Sequence, residues 1–391
     1  MTRSRLWWWS SLWLILAPAA AEVGVHGFIA QGAIYTDDNA FVTDDNGWSA
    51  AITEVGTNLV WQADSRWFVA GQLIYLNGGN RYPDGIRVDY LLVDYLLFNN
   101  SVGDVHVQLG RFKNEHGLYR ASRDVPATQP SIVLPQSVYW DMYRDQTLNT
   151  DGISGNGYRR LDWGYLDWQL SAGRTDAFSD SMPQTVWVLG DGAKGDYHEK
   201  WVVQGSLFLT SPAHDLTGGI SLLRSHLEFD AVPGSLVNSG SAMVSEGIAS
   251  LRYSNGSVEV TAEYIYDDFK LSGLYFPSFG TVVKSDGYYL QGRYWLNERA
   301  ALLVRYDHRN LDRNDRDGET FAAATGLPAW LRYSHDWMVG VSYELSPDWL
   351  LRAEWHAVEG AAWLPSHLYP EPQLHDQKYW NLFALQLSWQ F

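Results

Sequence analysis

Cysteine is absent from the 391 residues, and lysine occurs only six times. The first absence excludes a disulfide framework, thiolate-ligated zinc and a cysteine nucleophile. The scarcity of lysine, with a formal charge of −17, argues against a nucleic-acid partner, because phosphate neutralisation needs clustered cations. Long apolar runs are also missing. Beyond the first two dozen residues no 18 uninterrupted apolar residues occur, so no transmembrane helix is expected there. The sequence has no Gly-x-Ser-x-Gly elbow, no His-Glu-x-x-His pair and no phosphate-binding Gly-rich lysine loop. No reaction, cofactor or resident metal is therefore expected. Spacing does not reveal a Ser/His or Asp/His site assembled from distant strands, so that alternative stays open.

Aromatics are plentiful: 20 Trp and 23 Tyr, against charged residues at 19%. A chain this rich in apolar rings buries them, which excludes disorder. At the N-terminus Arg3 and Arg5 precede an apolar stretch over residues 6–17, followed by Ala19-Ala20-Ala21. This pattern predicts a signal peptide, residues 1–21, cleaved before Glu22, and a single exported domain over 22–391. Twelve helical residues reach only ~18 Å, short of a ~30 Å bilayer core, which weighs against an uncleaved anchor.

The exported part reads as strands. Tyr379, Asn381, Phe383, Leu385, Leu387, Trp389 and Phe391 fall on one face, opposite Gln386, Ser388 and Gln390. Val258, Val260, Ala262, Tyr264 and Tyr266 likewise oppose Glu259, Thr261, Glu263 and Asp267. Period-two alternation is the mark of a strand with two unlike faces. The connections alternate in length. Seven short ones lie near residues 63–66, 99–104, 161–163, 211–215, 254–257, 297–299 and 346–348. Eight long ones lie near 36–49, 77–87, 113–155, 174–199, 225–244, 269–284, 309–332 and 359–378. Fifteen connections join about 16 strands, and short-long alternation is what a barrel with one tight rim and one loopy rim produces. The expected fold is all-β, a transmembrane antiparallel barrel with short periplasmic turns, long extracellular loops and both chain ends on the short-turn side. A soluble sandwich sorts its connections less regularly, and no 40–50-residue propeller repeat is present. Trp61, Trp67, Trp163, Trp201, Trp349, Trp389 and Phe391 near strand ends suit an interfacial girdle, although core packing also places Trp in β-structure.

The leader, the terminal strand ending in Phe391 and the 16-strand pattern resemble the porins of Gram-negative outer membranes. The stretch Gly110-Arg111-Phe112-Lys113 followed by Gly117-Leu118-Tyr119 is similar to the phosphate-selective group, from which the scarcity of lysine departs. The resemblance implies a passive, water-filled diffusion channel for small hydrophilic solutes or ions. It implies a third loop folded into the channel, a homotrimer, and contact with outer-membrane lipid and lipopolysaccharide. Trp389 and Phe391 would be the insertion signal read by the barrel-assembly machinery. Two other functions stay open: a barrel whose loops bind a specific ligand or surface partner, and a soluble exported carbohydrate-binding β-protein.

In a pore the chemistry lies in the charges lining the tube. Strand parity assigns Glu54, Asp94, Glu246, Glu259, Glu263, Asp267, Asp307, Glu344 and Glu354 to the lumen, with Arg111, Arg252, Arg293, Arg305 and Arg352. That wall is net negative and favours cations. The third long loop, about 43 residues over 113–155, holds Lys113, Glu115, Arg120, Arg123, Asp124, Arg144 and Asp145. With Arg111 these form the expected constriction. Its apolar set, Val125, Ile132, Val133, Leu134, Val138 and Tyr139, indicates packing on the inner wall, on neighbouring loops or at a trimer contact. Loop acids Asp37, Asp38, Asp44 and Asp45, and Asp312, Asp315, Asp317 and Glu319, read as solvated charge, the second cluster missing the EF-hand pattern. His26, His106 and His356 are candidates for the lumen, while His116, His198, His335, His367 and His375 lie in or beside loops.

Overall fold

The computed structural model describes residues 22–37, 39, 41–43, 47–175, 193–364 and 377–391. The expected leader, His367, His375, Asp38, Asp44 and Asp45 lie outside the described residues. The chain forms 17 strands in one sheet. In order they are β1 (Glu22–Thr36), β2 (Gly47–Ser49), β3 (Thr53–Gln62), β4 (Trp67–Asn77), β5 (Gly85–Asn100) and β6 (Gly103–Lys113). There follow β7 (Asn149–Leu161), β8 (Gly164–Arg174), β9 (Gly195–Thr210), β10 (Leu216–Ala231), β11 (Gly240–Ser254) and β12 (Val258–Ser272). The last are β13 (Gly280–Trp295), β14 (Ala300–Asn310), β15 (Tyr333–Ser346), β16 (Trp349–Gly360) and β17 (Tyr379–Gln390).

Each long strand pairs antiparallel with its neighbours, and β17 returns to β1 with Phe28 opposite Gln390 and Tyr35 opposite Phe383. Gly27 and Phe391 exchange both backbone hydrogen bonds, at 3.1 and 3.0 Å. Closure removes the unpaired edges of an open sheet, each group of which costs several kcal/mol in hydrocarbon. The short β2 pairs with the end of β1, and β3 takes over along the rest of β1. Together they act as one interrupted stave, so the barrel has 16. The seven short links all fall where expected.

On the other rim the strands run further than polarity alone predicted. The third loop ends at Leu148, not near Gly155, because Asn149 already pairs with Lys113 on β6. Three other links shrink to 78–84, 232–239 and 273–279. Where strands rise above the apolar belt both faces become polar, and the period-two signal fades although the hydrogen-bond ladder continues.

The outward face is an apolar belt, carrying for example Val55, Leu59, Leu170, Leu222, Val304, Val339 and Leu385. Trp61, Trp67, Trp163, Trp349 and Phe391 are exposed beside the short turns. Trp389 stacks between Trp349, with ring centroids 6.1 Å apart, and Phe391, at 4.9 Å. The inward face is polar except where loops pack on it: Val237 and Leu274 of two long-side links join Leu227, Phe229, Val244 and Leu271, and the third loop packs further round. Leu118, Tyr119, Leu134, Val138 and Tyr139 meet Phe208, Ile248, Ile265 and Tyr289 of the wall. Further on, Ile132, Val133 and Trp140 meet Ile34, Leu382 and Ala384.

Candidate functional site

The third loop, residues 114–148, lies inside the barrel and follows the inner wall from β10 round to β17 and β1. Its backbone supplies most of the contacts. Gly117 N–H donates to Ser221 Oγ on β10 at 3.0 Å, and Leu118 N–H to Glu263 Oε1 on β12 at 2.9 Å. Glu263 also accepts Ser250 Oγ, Tyr139 Oη and, at 2.7 Å, Tyr289 Oη. A buried carboxylate with this many donors is stable without a cation beside it. Gly117 has φ of +76°, and a Cβ there would lie 2.7 Å from Tyr139 Oη. Only glycine fits this entry bend.

Further along, Ser137 N–H points at the Asp307 carboxylate, 3.3 Å away, and Arg309 donates to Ser137 O at 2.6 Å and to Asp267 at 3.0 Å. Arg305 donates to Ser131 Oγ and Val133 O, both at 2.9 Å. Arg352 donates to Gln129 O and Ser131 O at 3.0 and 3.1 Å. Glu354 accepts the consecutive N–H groups of Ile132 and Val133. The inward charges Arg305, Asp307, Arg352 and Glu354 are therefore anchors for a loop backbone, and Asp267 acts behind Arg309; sequence parity places them on the wall without showing what they hold.

The loop's own charges differ from the expected constriction. Arg120, Arg123, Asp124 and Arg144 are inside the barrel, but only 2, 6, 3 and 2% exposed. They are consumed in ion pairs rather than offered to solvent. Asp124 bridges Arg144 and Lys113, and Lys113 also reaches Asp89 at 2.5 Å. Asp141 binds Arg123 and, at 2.6 Å, Arg81 from the second long loop. Asp145 binds Arg144 at 2.6 Å and Arg87 at 2.9 Å. Glu246 on β11 takes His116 at 2.5 Å and Arg120 at 3.4 Å. Glu54 faces the same network, in electrostatic reach of Arg352, Arg81 and Arg144. Burial alone would raise the Asp124 carboxyl, but Arg144 and Lys113 outweigh it and hold Asp124 well below the usual range. Burial acts the same way on Asp141, and Arg81 and Arg123 overcome it. Desolvated ions are retained only when paired, which is why none of these cations is free.

Arg111 departs from the expected site for another reason. It is opposite Leu91 on β5 and Asp151 on β7, on the face that carries Leu109 and Ile153. Its guanidinium forks onto Asp151 at 2.7 and 2.6 Å, on the outward side of the wall. Its parity follows Leu109, and in a strand direct neighbours across the ladder share a face.

Glu115 behaves differently from the rest of the loop. Its backbone N–H is held by Gln169 Oε1 at 2.9 Å. Its side chain reaches water, and the surrounding protein still desolvates it in part. Burial raises its carboxyl to about 7, and the charge of Asp167 on β8 pushes the same way. The wall here, β5 to β8, is the side the loop tip does not cover. It carries Asp94, bound to His106 at 2.6 Å and Gln108 at 2.9 Å. Toward the short turns it carries Asp104 and Asp167. On the far side Arg252, Glu259, Arg293 and Glu344 are inward and half-buried in the short-turn half, with Glu259 opposite Arg293.

Sequence reasoning missed Arg81 and Arg87, the partners of the loop acids Asp141 and Asp145, and Asp89, the partner of Lys113, with the wall residues Asp104, Asp167, Ile248, Ile265 and Tyr289. One signal for the apolar wall was present. Tyr264-Ile265-Tyr266 and Leu382-Phe383-Ala384-Leu385 break the alternation, which marks strands covered on both faces. His356 is inward between Asp336 at 2.8 Å and Glu354 at 3.4 Å. In the loop cluster Asp315 accepts the N–H groups of Thr320 and Phe321 at 3.0 and 2.8 Å, tying down the first turn of the short helix Glu319–Thr325.

The sequence matches no protein-family model and no curated protein. Similarity appears in three dimensions. The anion-selective porin from Comamonas acidovorans has a TM-score of 0.61 at 13% identity, over 95% of this chain and 100% of that one. The outer-membrane channel DcaP of Acinetobacter baumannii has 0.57 at 11%, over 96% and 99%. A trimer form of OmpT, an outer-membrane protein of Vibrio cholerae, has 0.55 at 12%, over 95% and 100%. At these identities the likeness is one of fold: the chain is a closed 16-stave β-barrel with the architecture of the outer-membrane porins.

Proposed function

We propose that the protein is an outer-membrane diffusion channel that passes small hydrophilic solutes and prefers cations. One observation carries this reading: an inward-folded third loop whose cations are all paired, with its Glu115 beside a wall where Asp104 and Asp167 outnumber the single rim cation Arg160. A negative lining in a low-dielectric tube lowers the barrier to cations and raises it to anions. The apolar belt with its aromatic girdle suits a bilayer, and the long strands, of 10–16 residues, meet or exceed the ~9–11 needed to cross it at a tilt.

The reading includes contact with outer-membrane lipid and lipopolysaccharide. It includes export by the residue 1–21 leader, and assembly through the terminal strand with Trp389 and Phe391. A homotrimer is part of the proposal, supported by the trimer form of the Vibrio cholerae neighbour. The test is conductance in a planar lipid bilayer with detergent-purified protein. Discrete conductance steps and a reversal potential of cationic sign under a KCl gradient are expected. Absence of steps would remove the channel reading, and an anionic sign would remove the preference.

A further inference from the structure

At the short-turn mouth, on the same acidic wall, three flat rings stack. Tyr158 on β7 and Tyr165 on β8 have centroids 5.9 Å apart with planes inclined by 20°. Tyr165 and His214, from the turn between β9 and β10, are 4.5 Å apart at 17°. His214 is the one non-glycine residue with positive φ among the described residues, at 57°.

Both tyrosines face inward. They share parity with the buried Ser154 and Ser171, whereas Ile153 and Leu170 face outward. Asp104, Tyr158 and Asp167 are opposite one another across β6, β7 and β8, so two carboxylates flank a ring on one face. Glu115 and Asp104 both lie within electrostatic reach of Asp167. Arg160, opposite Tyr165 at the rim, is the guanidinium of this row.

A second observation lies one step deeper. Above Asp167 on β8 come Gln169 and Ser171, whose neighbours on β9 are Ser206 and Gln204. The hydroxyls of Ser171 and Ser206 and Gln204 Oε1 are buried without a hydrogen-bond partner. These atoms expose almost no surface, and Gln169 beside them is held by the backbone of Lys113 and Glu115, so a visitor is met by the carboxylates and rings of the mouth.

We propose that this wall is a binding station for small organic cations, with an ammonium group held between Asp104 and Asp167 and its ring or chain laid on the Tyr158–Tyr165–His214 stack. Carboxylates supply charge-assisted hydrogen bonds, and ring faces attract the cation while covering its apolar part. The backbone of β6 to β8 preorganises both. A simple metal ion would use the carboxylates and ignore the rings. An anionic solute would be repelled.

The inference rests on the channel reading, and the experiment separates the two. Single-channel current in KCl is recorded with benzylammonium added on the short-turn side, and with benzyl alcohol and benzoate as probes of the same shape. Benzylammonium is expected to interrupt the current at roughly tenfold lower concentration than either. Asp167→Asn is expected to weaken its block roughly tenfold, and Tyr165→Leu roughly threefold. Equal block by the three probes overturns the station whatever the variants do, as does block unchanged in Asp167→Asn. If no conductance is seen, the channel reading fails. Calorimetric titration of the detergent-folded protein then decides the station alone. Benzylammonium binding in preference to benzyl alcohol supports it, and no preference overturns it.

Discussion

Glu263 on β12 accepts the backbone N–H of Leu118, 145 positions earlier in the chain, at 2.9 Å. The same carboxylate takes the hydroxyls of Ser250, Tyr139 and Tyr289, so loop, loop return and two wall strands meet at one group. Replacing it with Glu263→Ala strands two phenols and a backbone N–H. A loss on the order of 3 kcal/mol is expected, with a noisier open-channel current as the loop loosens. Thermal unfolding in detergent and single-channel noise report the two effects. A variant with native stability and a quiet current would show that the loop is held elsewhere.

Arg144 tests where the loop cations lie. It is buried between Asp124 and Asp145. Removing one partner of a buried pair costs about 3–5 kcal/mol, because the other charge stays desolvated. Arg144→Met is therefore expected to lower the unfolding temperature markedly. A stable variant whose only change is a reversal potential moved toward cations would instead place Arg144 on open water.

Glu115 gives the channel a pH dependence. Its carboxyl is raised to about 7 by burial first and by Asp167 second. Below that pH it is neutral, and above it the lumen gains a negative charge. Cation preference should increase as pH rises through about 7, and Glu115→Gln should abolish that inflection. For stability the sign is opposite. Between the ordinary value of 4.5 and about 7 the folded state holds the extra proton, so the contribution present below 4.5 is lost as pH rises through 7. Reversal potentials measured from pH 5 to 9 in both proteins check the first statement. A titration unaltered by the substitution would rule out Glu115.

Phe391 closes the barrel at the same time as it ends the girdle. Its backbone pairs with Gly27 in both directions, and its ring packs on Trp389. Deleting Phe391 is expected to reduce the folded fraction in the membrane several-fold, while material that does fold keeps its conductance. Heat-modifiable gel mobility of membrane fractions measures the folded fraction. A deletion variant that folds to native levels would separate the terminal aromatic from assembly.

The strand count, the short turns, the closure by the last strand and the inward face of Glu259, Glu263 and Asp267 were legible in the sequence. Each depends on a property that repeats locally. Alternation of polarity needs two residues, and a tight turn needs two to five. Even the inward course of the third loop left a trace, in the apolar residues from Val125 to Tyr139 that no solvated loop would carry.

What each charge meets was decided by the tertiary structure. Asp141 is opposite Arg81, Asp145 opposite Arg87 and Glu246 opposite His116, pairs 60, 58 and 130 positions apart. Strand parity assigns nine acids to the lumen but not which of them end under a loop. Only the closed barrel brings the loop against the wall from β10 round to β17 and β1. That leaves Glu115, Asp104 and Asp167 wet and buries the arginines. Pairing energy depends on distance and desolvation, and both are properties of the folded volume rather than of neighbours along the chain.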